Sequence, residues 1–117
     1  MSKMTLLHNA RCSKSRIGLA YLQDAKADFE VREYLKEELS AKELIALFKA
    51  LGGNPLENGA LRKGEADFKA NFKGKTLSLE GWAEAVLKYP KLLERPILIK
   101  GDKAVVGRPA EAFDALL

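Results

Sequence analysis

The chain has 117 residues, 47% hydrophobic and 31% charged. That is an ordinary soluble balance and too little chain for two full cores, so one domain over residues 1–117 is expected. The net charge of +4 is interleaved along the sequence without a block of like charges, and no apolar run nears the roughly 20 residues a bilayer span requires, so neither a nucleic-acid nor a membrane partner is expected.

A single cysteine excludes an internal disulfide, and with one histidine beside it the chain is expected to bind no metal. The first residues carry no apolar signal-peptide core, which points to a cytoplasmic protein. A monomer is expected.

Met4–His8 reads as a short buried strand, and Asn9–Ser13 as a polar loop. Ile17, Ala20 and Tyr21 recur at helical spacing within a helix from about Ser13 to Ala25. Phe29–Tyr34 alternates apolar and polar residues and forms the second strand, parallel to the first through a right-handed crossover. Ser40 and Glu43 make a capping box for a helix that ends at Gly52-Gly53. A weaker helix spans Glu65 to Phe72, and Ser78 caps another that stops at Tyr89-Pro90. Ile97–Ile99 and Ala104–Val106 flank a turn at Gly101-Asp102, a hairpin pattern. A last helix is expected with Pro109 in its first turn.

The order is βαβ, a helical insertion, then ββα. This is an α/β, thioredoxin-like layout: a four-stranded mixed sheet flanked by helices. In that fold a cis proline commonly precedes the third strand, and Pro96 stands there.

Cys12 is placed where a first helix would begin, among Arg11, Lys14 and Arg16. Unpaired N–H groups, the helix dipole and nearby cations all favour a thiolate, the nucleophilic form. A lone cysteine is otherwise a small buried hydrophobe, but these flanks are not those of a core. His8 reads as a general base, a cation that acidifies the thiol, or a hydrogen-bonded strand-end residue. Ser15 completes a C-x-x-S motif; its hydroxyl either donates to the thiolate or caps the helix. Arg62, Arg95 and Arg108 each lie at an element boundary, and the arginine fork suits oxyanions, although a single arginine is usually a solvated surface residue.

The run His8-Asn9-Ala10-Arg11-Cys12-Ser13-Lys14-Ser15-Arg16 resembles the H-N-P-x-C-x-x-S-R signature of the glutaredoxin-dependent arsenate reductase family. Arg62-Lys63-Gly64-Glu65, Glu94-Arg95-Pro96-Ile97-Leu98-Ile99 and Val106-Gly107-Arg108-Pro109 with Glu111 are similar to its later motifs, in order. Ala10 stands where the motif has proline, and Ser13-Lys14 where other members have Gly-Thr, a C-S-K-S-R branch. The resemblance implies that Cys12 attacks arsenate, that Arg62, Arg95 and Arg108 hold the oxyanion, that His8 keeps Cys12 ionised and that Ser15 hydrogen-bonds it. Asn9, Arg16 and Pro96 would support them. No bound cofactor is implied; glutathione would be the co-substrate and glutaredoxin the protein partner. The alternatives are an Spx-like transcriptional regulator and a monothiol oxidoreductase acting on glutathionylated proteins.

Overall fold

In the computed structural model, which describes residues 4–117, Met4–Leu7 forms β1, Ser13–Asp24 forms α1 and Phe29–Arg32 forms β2. β1 and β2 are parallel, with Met4 opposite Phe29 and Leu7 opposite Arg32. Both strands stop sooner than their apolar patterns suggest. His8 lies just past β1, yet its N–H still donates to the Arg32 carbonyl at 3.0 Å.

Ile97–Lys100 (β3) and Lys103–Val106 (β4) form the expected hairpin, and Gly101 takes the left-handed conformation its turn requires (φ 63°). β3 pairs antiparallel with β1, giving a mixed sheet of order β2-β1-β3-β4. Residues 4–37 and 95–117 make up this first compact unit. Its core is Met4, Leu6, Leu22, Leu98, Phe113 and Leu116, with Leu19, Phe29 and Val105 packed against it.

Gly18 is required by that packing. A Cβ there would lie 2.6 Å from Cγ of Pro96 and 3.1 Å from the Phe113 ring. The Arg95–Pro96 bond is cis, as the fold analogy suggested, and so is Arg108–Pro109, which the sequence did not indicate.

The final helix differs from the expectation. Ala110–Leu116 is a 3-10 helix, and Pro109 precedes it in an extended conformation instead of occupying its first turn. The reason is visible in the spacing. Ala110, Phe113 and Leu116 are all buried, and three residues per turn put positions i, i+3 and i+6 on one edge.

Glu38–Glu94 forms the second unit, the helical insertion. α2 is Ala41–Ala50, α3 Ala66–Asn71 and α4 Leu79–Lys88, followed by a 3-10 turn at Pro90–Leu92 that the sequence reading left out. The capping box is present: Ser40 Oγ accepts from Glu43 N–H at 3.1 Å, and Glu43 Oε1 accepts from Ser40 N–H at 3.0 Å. Trp82 stacks on Phe68 with centroids 6.1 Å apart, and Phe72 lies 5.8 Å from it. With α2 supplying Leu44, Leu47 and Phe48, these aromatics give the unit its own buried core.

Candidate active site

Cys12 is the N-cap of α1. The loop that delivers it is tied down by its own polar groups. Cys12 N–H donates to the Asn9 carbonyl, and Arg11 N–H donates to Asn9 Oδ1, each at 3.0 Å. Arg16, one helical turn on, donates to the Ala10 carbonyl at 2.9 Å. The loop therefore keeps its shape with alanine at position 10.

Arg95 and Arg108 come from the ends of the β3–β4 hairpin. Arg108 donates through Nε to the Arg95 carbonyl at 2.9 Å, and its Nη2 lies 3.7 Å from Cys12 Sγ. Gly107 N–H donates to the Pro96 carbonyl at 2.9 Å, which fixes the loop carrying Arg108 against the one carrying Arg95. Desolvation works to raise the pKa of Cys12. It is outweighed by a hydrogen bond from the Arg95 side chain, the N–H of Ser15, the Arg95 charge and the N–H of Lys14, so the thiol lies below its ordinary value. The Cys12 sulfur thus has two guanidinium groups and a helix N-terminus beside it.

His8 and Ser15 meet each other. Ser15 Oγ lies 2.7 Å from His8 Nδ1 and accepts from Asn9 N–H at 3.0 Å. The serine oxygen has two acceptor lone pairs, so beside the Asn9 N–H it can donate to Nδ1 of a neutral imidazole or accept from a protonated one. Burial lowers the pKa of His8 and Arg16 adds to this. Glu33 and a hydrogen bond with Ser15 oppose them without reversing the shift. The Ser15 hydroxyl is therefore engaged by His8 and Asn9, and it is the Ser15 backbone N–H that favours the thiolate. A groove of about 310 Å³ runs along the same loop, lined by His8, Asn9, Ala10 and Arg11 on one side and Glu33, Leu35 and Lys36 on the other.

Arg62 belongs to the second unit. There its guanidinium is ion-paired to Glu65 at 3.2 Å and to Glu94 at 3.5 Å. Sequence reasoning included both carboxylates in its motifs but gave them no role. The Arg-x-x-Glu spacing around Gly64 was the available signal for the first. Among the described residues, no group of three or more His, Cys, Asp or Glu side chains is placed to hold a metal ion, and no helix is long and apolar enough to cross a membrane.

Positions 7–116 match the model of the ArsC family. The chain is 33% identical over 117 residues to an arsenate reductase of Neisseria meningitidis serogroup A, covering both proteins completely. It is 36% identical over 112 residues to an arsenate reductase of Haemophilus influenzae, covering 96% of this chain and 97% of that one. Among solved structures, an arsenate reductase from Vibrio cholerae superposes with a TM-score of 0.88 at 34% identity, over 99% of this chain and 98% of that one. The thioredoxin-like architecture read from the element order is the fold they share.

Proposed function

This chain belongs to the ArsC family, and we propose that it is an arsenate reductase that uses Cys12 as nucleophile and external thiols as reductant. The observation that carries the reading is the Cys12 sulfur, held below its ordinary pKa beside Arg95 and 3.7 Å from Arg108. A thiolate next to paired guanidinium groups is equipped to receive an oxyanion and attack its central atom.

The chemistry runs in three steps. The Cys12 thiolate forms an S–As bond, and one arsenate oxygen, protonated, leaves as water; no electrons are transferred to arsenic. The glutathione thiolate then attacks Cys12 sulfur. The S–S bond forms as the S–As pair returns to arsenic, which falls from As(V) to As(III) and departs as arsenite. Glutaredoxin finally takes the glutathionyl group from Cys12 by thiol–disulfide exchange. Arg95 and Arg108, with Arg62, neutralise the oxyanion. His8 and Ser15 hold the loop, supported by Asn9, Arg16 and Pro96. The groove beside the loop offers Arg11 and Lys36 to the carboxylates of glutathione. The protein works without a bound cofactor, as a cytoplasmic monomer.

The test is arsenite formation by the purified protein supplied with arsenate, glutathione and glutaredoxin. Turnover that a Cys12→Ser variant lacks supports the reading; equal rates for the two proteins overturn it.

A further inference from the structure

The turn that carries Cys12 into α1 is gripped by a side chain of the helix it leads to. Cys12 N–H donates to the Asn9 carbonyl at 3.0 Å, which closes a β-turn over Asn9, Ala10, Arg11 and Cys12. Asn9 suits the first position, where its Oδ1 accepts from Arg11 N–H at 3.0 Å. Ala10 holds the second position. Proline is favoured there because its ring presets φ near about −65°, the value the turn needs. Alanine has more conformations open to it, so the turn is less restrained. Arg16 acts on this turn at two points. Its N–H donates to the Cys12 carbonyl at 3.0 Å, the first bond of α1, and its Nη1 donates to the Ala10 carbonyl at 2.9 Å. The residue therefore bridges from the helix across Cys12 to the position where a proline's restraint is missing. Arg16 and Ala10 are both exposed, so neither is part of the core.

We propose that Arg16 is a positioning residue for Cys12, and that its tether to the Ala10 carbonyl does for the turn what a proline at position 10 would do. The inference rests on the reading that Cys12 is the reacting thiol. A hydrogen bond from a charged group and the freedom that a proline removes are of comparable size, so one restraint can replace the other. With both absent the turn opens more often. The N–H groups of Lys14 and Ser15 then lose their aim at the sulfur, and the thiolate is less favoured. Because Arg16 works through the turn, its loss lowers kcat more than it raises KM.

The experiment measures alkylation of Cys12 by iodoacetamide against pH in Arg16→Met, Ala10→Pro and the double variant. Arg16→Met is expected to raise the midpoint by about half a pH unit and to slow alkylation at pH 7 about threefold. Ala10→Pro is expected to bring the midpoint most of the way back in the Arg16→Met background and to move it much less in the wild type. Such non-additivity identifies a tether, because proline restores a turn and cannot restore a charge. An unmoved midpoint in Arg16→Met overturns the proposal, and so does a proline effect that is absent or equal in the two backgrounds. Sulfate affinity is measured calorimetrically with the same changes in a Cys12→Ser background. A loss in Arg16→Met that proline does not restore makes Arg16 an anion-binding residue and overturns the positioning role. Alkylation needs no arsenate, so the two readings fail separately. If the rescue is found but the wild-type protein never forms arsenite, the arsenate-reductase reading fails and the tether stands. If arsenite forms and the rescue is missing, the tether alone fails.

Discussion

In the proposed reaction the Cys12 sulfur has to be ionised, and its neighbours divide into groups that favour this and burial that resists it. Alkylation by iodoacetamide measured against pH should reach half its limiting rate below the roughly 8.5 of a free thiol. Replacing Arg95 or Arg108 with glutamine should move that midpoint upward and slow alkylation at pH 7 by about threefold or more; an unmoved midpoint in both would show that the arginines do not tune the sulfur. His8 makes a separate, thermodynamic prediction. Its pKa is lowered in the folded state, so between that value and about 6.5 the unfolded chain binds more protons. Stability is then fully present above pH 6.5 and is lost as pH falls through the window. His8→Asn should flatten the fall in Tm between pH 7 and pH 5. The Cys12 thiolate gives a slope of the same sign at higher pH, below about 8.5, so the comparison is cleanest in a Cys12→Ser background. At this scale the sequence disclosed placement: a cysteine at a helix start and arginines at element boundaries. It did not disclose partners. The Ser15 hydroxyl is satisfied by His8 and Asn9, and Arg62 by Glu65 and Glu94, because those pairings depend on how loops turn back, which local patterns do not encode.

Elements were most legible where a side-chain signal fixes a boundary. Ser40 and Glu43 announced α2, and Gly101 the hairpin turn. The signal failed where tertiary packing decided the local form. The last helix became 3-10 because Ala110, Phe113 and Leu116 must share one edge, and the turn at Pro90–Leu92 has no periodic pattern to reveal it. The same packing makes two glycines sensitive. A Cβ on Gly18 would collide with Pro96, and one on Gly107 would lie against the Phe113 ring closer than real Cβ atoms come. Gly18→Ala should cost about 2 kcal/mol by overpacking, with Tm lower by several degrees. Its effect on activity should exceed its effect on stability, because α1 carries Cys12 and Pro96 follows Arg95. Ser40→Ala offers the contrast. It removes a cap at a cost of about 1 kcal/mol and should lower Tm while leaving the alkylation profile of Cys12 unchanged. Equal alkylation profiles for Gly18→Ala and the wild type would separate the glycine from the thiol site.

At the scale of the whole molecule the decisive number is one cysteine in 117 residues. Reducing As(V) to As(III) takes two electrons, and forming a disulfide supplies two. Cys12 contributes one sulfur to that bond, so the second must come from another molecule. This fixes where the reaction stops when a component is withheld. With arsenate and glutathione but no glutaredoxin, the protein should release one arsenite per chain and accumulate with a single glutathionyl group on Cys12. Intact-mass measurement after a brief reaction should show that adduct and no other modification. Catalytic glutaredoxin should then return the unmodified mass and allow many turnovers. The +4 net charge makes an acidic thiol compound a favourable partner, so the rate with glutathione should fall as salt is raised, whereas an uncharged monothiol should respond much less. A disulfide-linked dimer through Cys12 in place of the glutathionyl adduct, or arsenite released with Cys12 unmodified throughout, would rule out the proposed sequence of steps. The first outcome would make a second copy of the chain the resolving thiol, and the second would remove Cys12 from the electron path.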